Sequence, residues 1–186
     1  MKYILKPALT LFITAVITVA LLSVVYNFTK DPIEKQKRST QENAMKEVLP
    51  KASEYREYQT DLTGSITAVY EGLTGGNLTG FIVQLSPEGY SGNIDLMVGI
   101  SASDKRITGV RILRHTETPG LGALAVKEDF YRRYDNRALA PIGVVRSSPG
   151  ENEIQAITSA TITTRAITNA VNEAINWYIN VIGETE

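Results

Sequence analysis

Residues 94–113 read Ile-Asp-Leu-Met-Val-Gly-Ile-Ser-Ala-Ser-Asp-Lys-Arg-Ile-Thr-Gly-Val-Arg-Ile-Leu, and this stretch decides the fold class. Two apolar, largely β-branched runs, Ile94–Ile100 and Ile107–Leu113, flank the polar Ser103-Asp104-Lys105-Arg106. That connection is a tight reversal, too short for the crossover a parallel pair needs, so the runs predict adjacent antiparallel strands. The pattern repeats upstream. Ile66–Tyr70 and Phe81–Leu85 flank the turn signal Gly75-Gly76-Asn77. Four strands with short turns argue against alternating βαβ units.

Downstream, the period changes. Ala123 to Tyr134 reads as a helix with Leu124, Val126, Phe130 and Tyr131 as its apolar positions. From Thr163 or Thr164 to about Ile182, the residues Ile167, Val171, Ala174, Tyr178 and Val181 fall on one helical face, and Gly183 closes the run. No repeat or low-complexity stretch interrupts this part. The expectation is an α+β domain, residues 61–186, of mainly antiparallel sheet with flanking helices.

The N-terminal end is different in kind. Ala8 to Phe28 carries no charge over 21 residues. As a helix it would span roughly 30 Å, the thickness of a bilayer core. A secretory signal peptide also begins with Lys and an apolar run, but its apolar region is shorter, and no Ala-x-Ala-like site follows here. Residues 1–29 therefore predict an uncleaved transmembrane helix, and residues 30–60 a juxtamembrane linker and helix. The short helix of that segment runs from a Ser39 or Thr40 cap to Leu49, where Pro50 ends it. Thr10, Thr14 and Thr18 repeat every four residues, a spacing open to either a helix–helix interface or a lipid-facing helix. Lys2 and Lys6 precede the apolar run, while Lys30, Lys35, Lys37 and Arg38 follow it. The raw count favours a cytoplasmic C-terminal side, yet long domains translocate despite flanking charge, so charge leaves the side open.

Composition narrows the chemistry. The chain has 186 residues, one His and no Cys, which excludes disulfides, thiolate-bound metal clusters and a thiol nucleophile, and disfavours a multi-histidine metal site. The net charge of −1 conceals a split: six Lys/Arg against two Asp/Glu through Arg38, then 13 against 18 beyond it. Nothing resembles a nucleic-acid footprint. No Ser–His–Asp arrangement or paired-carboxylate spacing points to a hydrolase.

Three segments stand out. Thr158-Ser159-Ala160-Thr161-Ile162-Thr163-Thr164-Arg165 packs hydroxyls directly before the strongest helix. One hydroxyl serves as an N-cap, but four are more than a cap needs; a helix N-terminus with added hydroxyl donors also suits a phosphate. Thr116-Glu117-Thr118-Pro119-Gly120-Leu121-Gly122 fits a type II turn or a backbone that lets a flat ligand approach. Gly89-Tyr90-Ser91-Gly92 fits a hairpin turn beside an aromatic. His115 reads as a structural or surface histidine.

In this order, behind one apolar helix, these segments resemble the FMN-binding domain of respiratory redox complexes. That family attaches FMN through a phosphoester to a Thr in a motif close to Asp-x-x-Ser/Thr-Gly-Ala-Thr followed by x-Thr-Ser/Thr. The matching run is Gln155 to Thr164, with Gln155 in place of Asp and Ser159 in place of Gly. The resemblance implies that Thr161 bears the flavin. It further implies cofactor-binding positions at Thr158, Ser159, Ala160, Thr163, Thr164, Glu117, Thr118, Leu121 and Gly122, and no metal. The compact size is similar to the G subunit of the Rnf-type complex, a relative of the C subunit of the sodium-translocating NADH:quinone reductase. Such a complex couples ferredoxin:NAD electron transfer to Na⁺ or H⁺ translocation. The expected role is thus one component of an oxidoreductase translocase, an electron carrier with no catalytic centre beyond its FMN. Partners implied are the other membrane subunits, a flavin transferase for maturation and the lipid bilayer, with the FMN domain on the extracytoplasmic side of the cell membrane. Two other roles stay open from the residues: a free-standing membrane-tethered flavoprotein for extracellular electron transfer, and a flavin-free anchored binding module.

Overall fold

A computed structural model describes residues 2–183, with side chains from Lys6 onward. Lys2 among the flanking charges therefore has its side chain outside the described residues, as do the last three positions of the expected domain. Two compact units divide the chain between Gln41 and Glu42.

Helix α1 (Lys2–Val48) makes up the first unit and its last residues, from Glu42, belong to the second. The expected linker and second helix are thus one element with the apolar span. Pro32 sits inside it, and no cap forms at Ser39 or Thr40. The side chains of the apolar run are exposed throughout, from Leu9 to Phe28. Thr10 donates to the Lys6 carbonyl at 3.0 Å, Thr14 to Leu11 at 3.0 Å and Thr18 to Thr14 at 2.8 Å. These hydroxyls are satisfied within their own helix, so their spacing needs no partner helix to explain it.

The second unit is a five-stranded antiparallel meander: β1 (Glu54–Glu57), β2 (Ile66–Thr74), β3 (Asn77–Leu85), β4 (Asp95–Ser101) and β5 (Ile107–Arg114), in that spatial order. The α+β class and the antiparallel sheet with flanking helices are as expected. The β2–β3 turn uses Gly75 and Gly76 at φ 58° and 82°, the mirror-image turn that suits the twist of a hairpin. Alternation along the central strands feeds two cores. Phe81, Val83, Leu96 and Val98 face one layer, while Ile82 and Met97 face the other. The first layer is covered by helix α2 (Thr161–Trp177), through Ile167, Val171, Ala174 and Ile175. The second is covered by the end of α1 and the residues after it, Ala44, Met45, Val48, Leu49 and Ala52.

Three expectations change. The helix over Ala123–Tyr134 is three short turns, Gly122–Val126, Glu128–Tyr131 and Arg132–Tyr134, with Lys127 extended at φ −75°, ψ 143° between the first and the second. Helix α2 begins at Thr161, two or three residues before the expected start, and passes into a wider π-turn at Tyr178–Ile182. Gly183 follows that turn in right-handed conformation at φ −66°, so it does not form the left-handed cap its position suggested. Two short strands, β6 (Gly143–Val145) and β7 (Glu153–Gln155), pair in parallel and carry the chain toward α2. The side chain of Asn172 on α2 clamps that route, accepting from Ile142 N at 2.8 Å and donating to its carbonyl at 2.9 Å.

Candidate functional site

The β3–β4 connection, the segment leaving β5 and the loop entering α2 converge at one end of the sheet. Together they line a cavity of about 340 Å³ built from Tyr90, Glu117, Thr118, Leu121, Gly122, Ser159, Ala160, Thr161, Ile162 and Thr163. Each segment arrives there for a local reason. The first turns back on itself through a Gly89 N to Gly92 carbonyl bond of 2.9 Å. In the second, Leu121 N donates to the Thr118 carbonyl at 3.1 Å with Gly120 at φ 79°, the type II turn that Pro-Gly favours.

Glu117 ties the three together. Its side chain is buried, and its Oε1 accepts from Tyr90 N at 2.8 Å and Ser91 N at 2.9 Å. Oε2 accepts from the Thr163 hydroxyl at 2.6 Å. Its own N–H donates to His115 Nδ1 at 3.2 Å, which gives the lone histidine a structural part. Burial alone pushes the Glu117 carboxyl up; the three hydrogen bonds and nearby His115 outweigh it and hold the group below the usual glutamate range. Gly122 leaves the room this needs, because a Cβ there would overlap Glu117 Oε2 and lie 2.6 Å from Thr163 Oγ1.

The start of α2 departs from the usual helix entry. The N-cap position is Ala160, and no side chain caps the helix. Thr164 N donates to the Ala160 carbonyl at 3.0 Å, so the N–H groups of Thr161, Ile162 and Thr163 precede the first intrahelical bond. The hydroxyls do other work. Thr163 holds Glu117. Thr164, fully buried, accepts from Ile157 N at 3.1 Å and donates to the Ala160 carbonyl at 3.0 Å, which locks the loop. Among the described residues, the half-exposed Thr161 hydroxyl makes no hydrogen bond. Ser159 has φ 60°, the left-handed region that disfavours any side chain but suits the glycine for which it substitutes in the motif.

Of the residues singled out in the sequence, Glu117, Thr118, Leu121, Gly122, Ser159, Ala160, Thr161 and Thr163 meet at the one cavity. Thr158 borders a neighbouring cavity of about 500 Å³, which shares Leu121 and Ser159 with the first and includes Gln155, Lys127 and Arg133. Thr164 borders neither. Ile162, quoted in the Thr158–Arg165 stretch but given no role there, lines the cavity and is 56 % exposed; in sequence it reads as an ordinary helix residue until the helix start is placed. Arg165, quoted in that stretch but given no role there, is exposed and one turn beyond Thr161, the i,i+4 spacing at which helix side chains are neighbours.

These features fit a phosphorylated flat group: a free hydroxyl and uncapped N–H groups at the helix start, beside exposed apolar side chains of Tyr90, Leu121 and Ile162. The FMN-binding domain family matches residues 89–176, a span that includes Tyr90, Glu117 and Thr161, and the RnfG N-terminal region matches residues 1–48. The G subunit of the ion-translocating oxidoreductase complex of Methanosarcina acetivorans is 30% identical over 95% of this chain and 95% of its own. The G subunit of the Na(+)-translocating ferredoxin:NAD(+) oxidoreductase complex of Acetobacterium woodii is 33% identical over 97% of this chain and 94% of its own. Among solved structures, NqrC of Shewanella oneidensis shares the fold at a TM-score of 0.51 and 22% identity, covering 56% of this chain and 53% of that one. The chain belongs to the RnfG family, the G subunits of ion-translocating oxidoreductase complexes, with a long apolar helix ahead of its FMN-binding domain.

Proposed function

We propose that this chain is the membrane-anchored electron carrier of an Rnf-type complex, holding FMN covalently through a phosphoester on Thr161. The observation that carries the reading is the start of α2: Ala160 occupies the cap, the first N–H groups lack a capping acceptor, and the Thr161 hydroxyl is unused. An uncapped helix N-terminus favours an anion by charge and by donor geometry. Arg165, one turn on, adds a cation at the i,i+4 position.

FMN bound here supplies reversible electron uptake at its ring; the chain supplies attachment, orientation and local polarity. Thr161 holds the phosphate. Leu121, Ile162 and Tyr90 would offer apolar surface to the ring, with Glu117 and Gly122 lining the same cavity. Thr163 acts through Glu117, and Thr164 acts by fixing the loop that presents Thr161. No separate catalytic centre is needed for this role.

In the assembled complex the chain works with the other membrane subunits, passing electrons in a ferredoxin:NAD reaction coupled to Na⁺ or H⁺ movement. A flavin transferase loads it, and its single helix holds it in the bilayer with the FMN domain on the extracytoplasmic side. A covalent bond suits that side, where a lost cofactor is not replaced. The reading is tested by purifying the complex after mild solubilisation. A yellow, fluorescent band at the size of this chain on a denaturing gel supports it, and a colourless chain within an intact complex opposes it. Protease added outside spheroplasts should cleave the domain, whereas a protected domain would reverse the orientation.

A further inference from the structure

Glu117 is an anomaly on physical grounds. It is 5 % exposed, and no Lys or Arg pairs with it among the described residues. Buried carboxylates normally have a cation or are neutralised by a proton. Here three neutral donors take that part: two backbone N–H groups on Oε1 and one hydroxyl on Oε2. A carboxylate offers about four acceptor sites, so one on Oε2 stays open, on a side chain that borders the cavity.

The surroundings are shaped to keep this charge. A Cβ at Gly89 would sit 2.5 Å from Oε1, and one at Gly122 would overlap Oε2. The titratable groups on the segments packed around it are Glu88, Tyr90, His115, Lys127 and Arg165, and of these the neighbouring His115 helps hold its carboxyl down. The carboxylate thus keeps its charge with one free acceptor position and, among the described residues, no Lys or Arg bound to it.

We propose that Glu117 is a positioning and tuning residue: its carboxylate accepts a hydrogen bond from a donor on the bound flavin group, and its charge opposes reduction of that group. The proposal rests on the reading that the site holds FMN. Reduction brings two electrons to the group from a reduced carrier, and any accompanying proton comes from solvent. Until that proton arrives the added charge lies beside a second negative charge, an interaction strong in a partly desolvated site. Glu117 therefore holds the group in its oxidised form to a lower potential than a neutral site would.

The experiment is an equilibrium redox titration of the full-length, detergent-solubilised chain carrying FMN, with dithionite as reductant and a mediator dye as reference. Intact mass is recorded first, so that an unloaded wild-type chain counts against the FMN reading itself. Glu117→Gln keeps the shape and removes the charge. At the potential where the wild type is half reduced, E117Q should show a reduced-to-oxidised ratio about tenfold higher. A ratio within about twofold of the wild type, on a folded and loaded variant, overturns the proposal.

Should E117Q fail to fold or load, Thr163→Val gives the answer. It leaves the carboxylate but removes the donor on Oε2, so Glu117 takes up its proton at higher pH. The pH at which the redox ratio of the loaded T163V protein bends should then move upward from that of the wild type. An unmoved bend overturns the proposal.

Discussion

Glu117 and Thr163, 46 residues apart in sequence, share a 2.6 Å hydrogen bond between Oε2 and Oγ1 with both side chains buried. It joins the loop after β5 to the first turn of α2, and the other carboxylate oxygen joins both to the β3–β4 loop. One side chain thus holds three walls of the cavity.

Glu117→Ala leaves two N–H groups and one hydroxyl without their acceptor. At about 1 kcal/mol for each lost bond, the variant should be roughly 2–3 kcal/mol less stable, seen as a lower urea midpoint with an unchanged slope. A variant within 0.5 kcal/mol of the wild type would mean that water replaces the carboxylate without cost, by the same ~0.5–1.5 kcal/mol scale.

The same group fixes the sign of a pH effect. Its folded-state affinity for protons is below that of the unfolded chain, where Glu titrates near about 4.3. The unfolded state then binds more protons over the interval between the two values, so stability rises with pH there. Its contribution is complete above the unfolded value and fades as pH drops through the lower folded one. Chemical denaturation between about pH 6 and pH 3 should show a falling midpoint for the wild type and a shallower fall for E117Q.

Ser159 holds a left-handed backbone at φ 60° and is exposed. Ser159→Gly relieves the steric penalty while adding unfolded-state entropy, and the balance predicts stabilisation of about 0.5–1 kcal/mol. Thermal melting of the two chains side by side measures it; an equal or lower Tm for the glycine variant contradicts the strain assigned to this residue.

Gly99 lies on the opposite face of the sheet, against the end of α1. A Cβ there would overlap the Val48 carbonyl oxygen and lie 2.5 Å from Thr108 Oγ1, the hydroxyl that donates to that carbonyl. Gly99→Ala should cost about 1–3 kcal/mol, the range for overpacking a tight contact. Glu42–Ala52 should exchange its amide hydrogens faster in the variant, because the contact that holds Val48 is the one displaced.

Much of this was legible in the sequence, and the exceptions have physical causes. Ile66–Tyr70, Phe81–Leu85, Ile94–Ile100 and Ile107–Leu113 all lie within or across strands, because alternating burial on two faces leaves a plain apolar signal. Strand β1, Glu-Tyr-Arg-Glu, carried no such signal because it is a largely exposed edge. β6 and β7 have three residues each, too few for any period to show. At the site, hydroxyl density correctly marked the entry to α2 but not the division of labour within it. Which hydroxyl binds Glu117, which locks a loop and which is left free depends on Ala160 taking the cap and on Glu117 arriving from 46 residues away. Neither is a local property.

The most direct test of the account is mass spectrometry of the intact chain and of its Thr161 peptide, after expression with a flavin transferase and in parallel with Thr161→Ala. The account predicts one FMN on the wild-type chain, joined by a phosphoester and confined to the peptide bearing Thr161, and a folded T161A chain with no adduct. An adduct that persists in T161A, or a wild-type chain that stays unmodified in the presence of an active transferase, would contradict it.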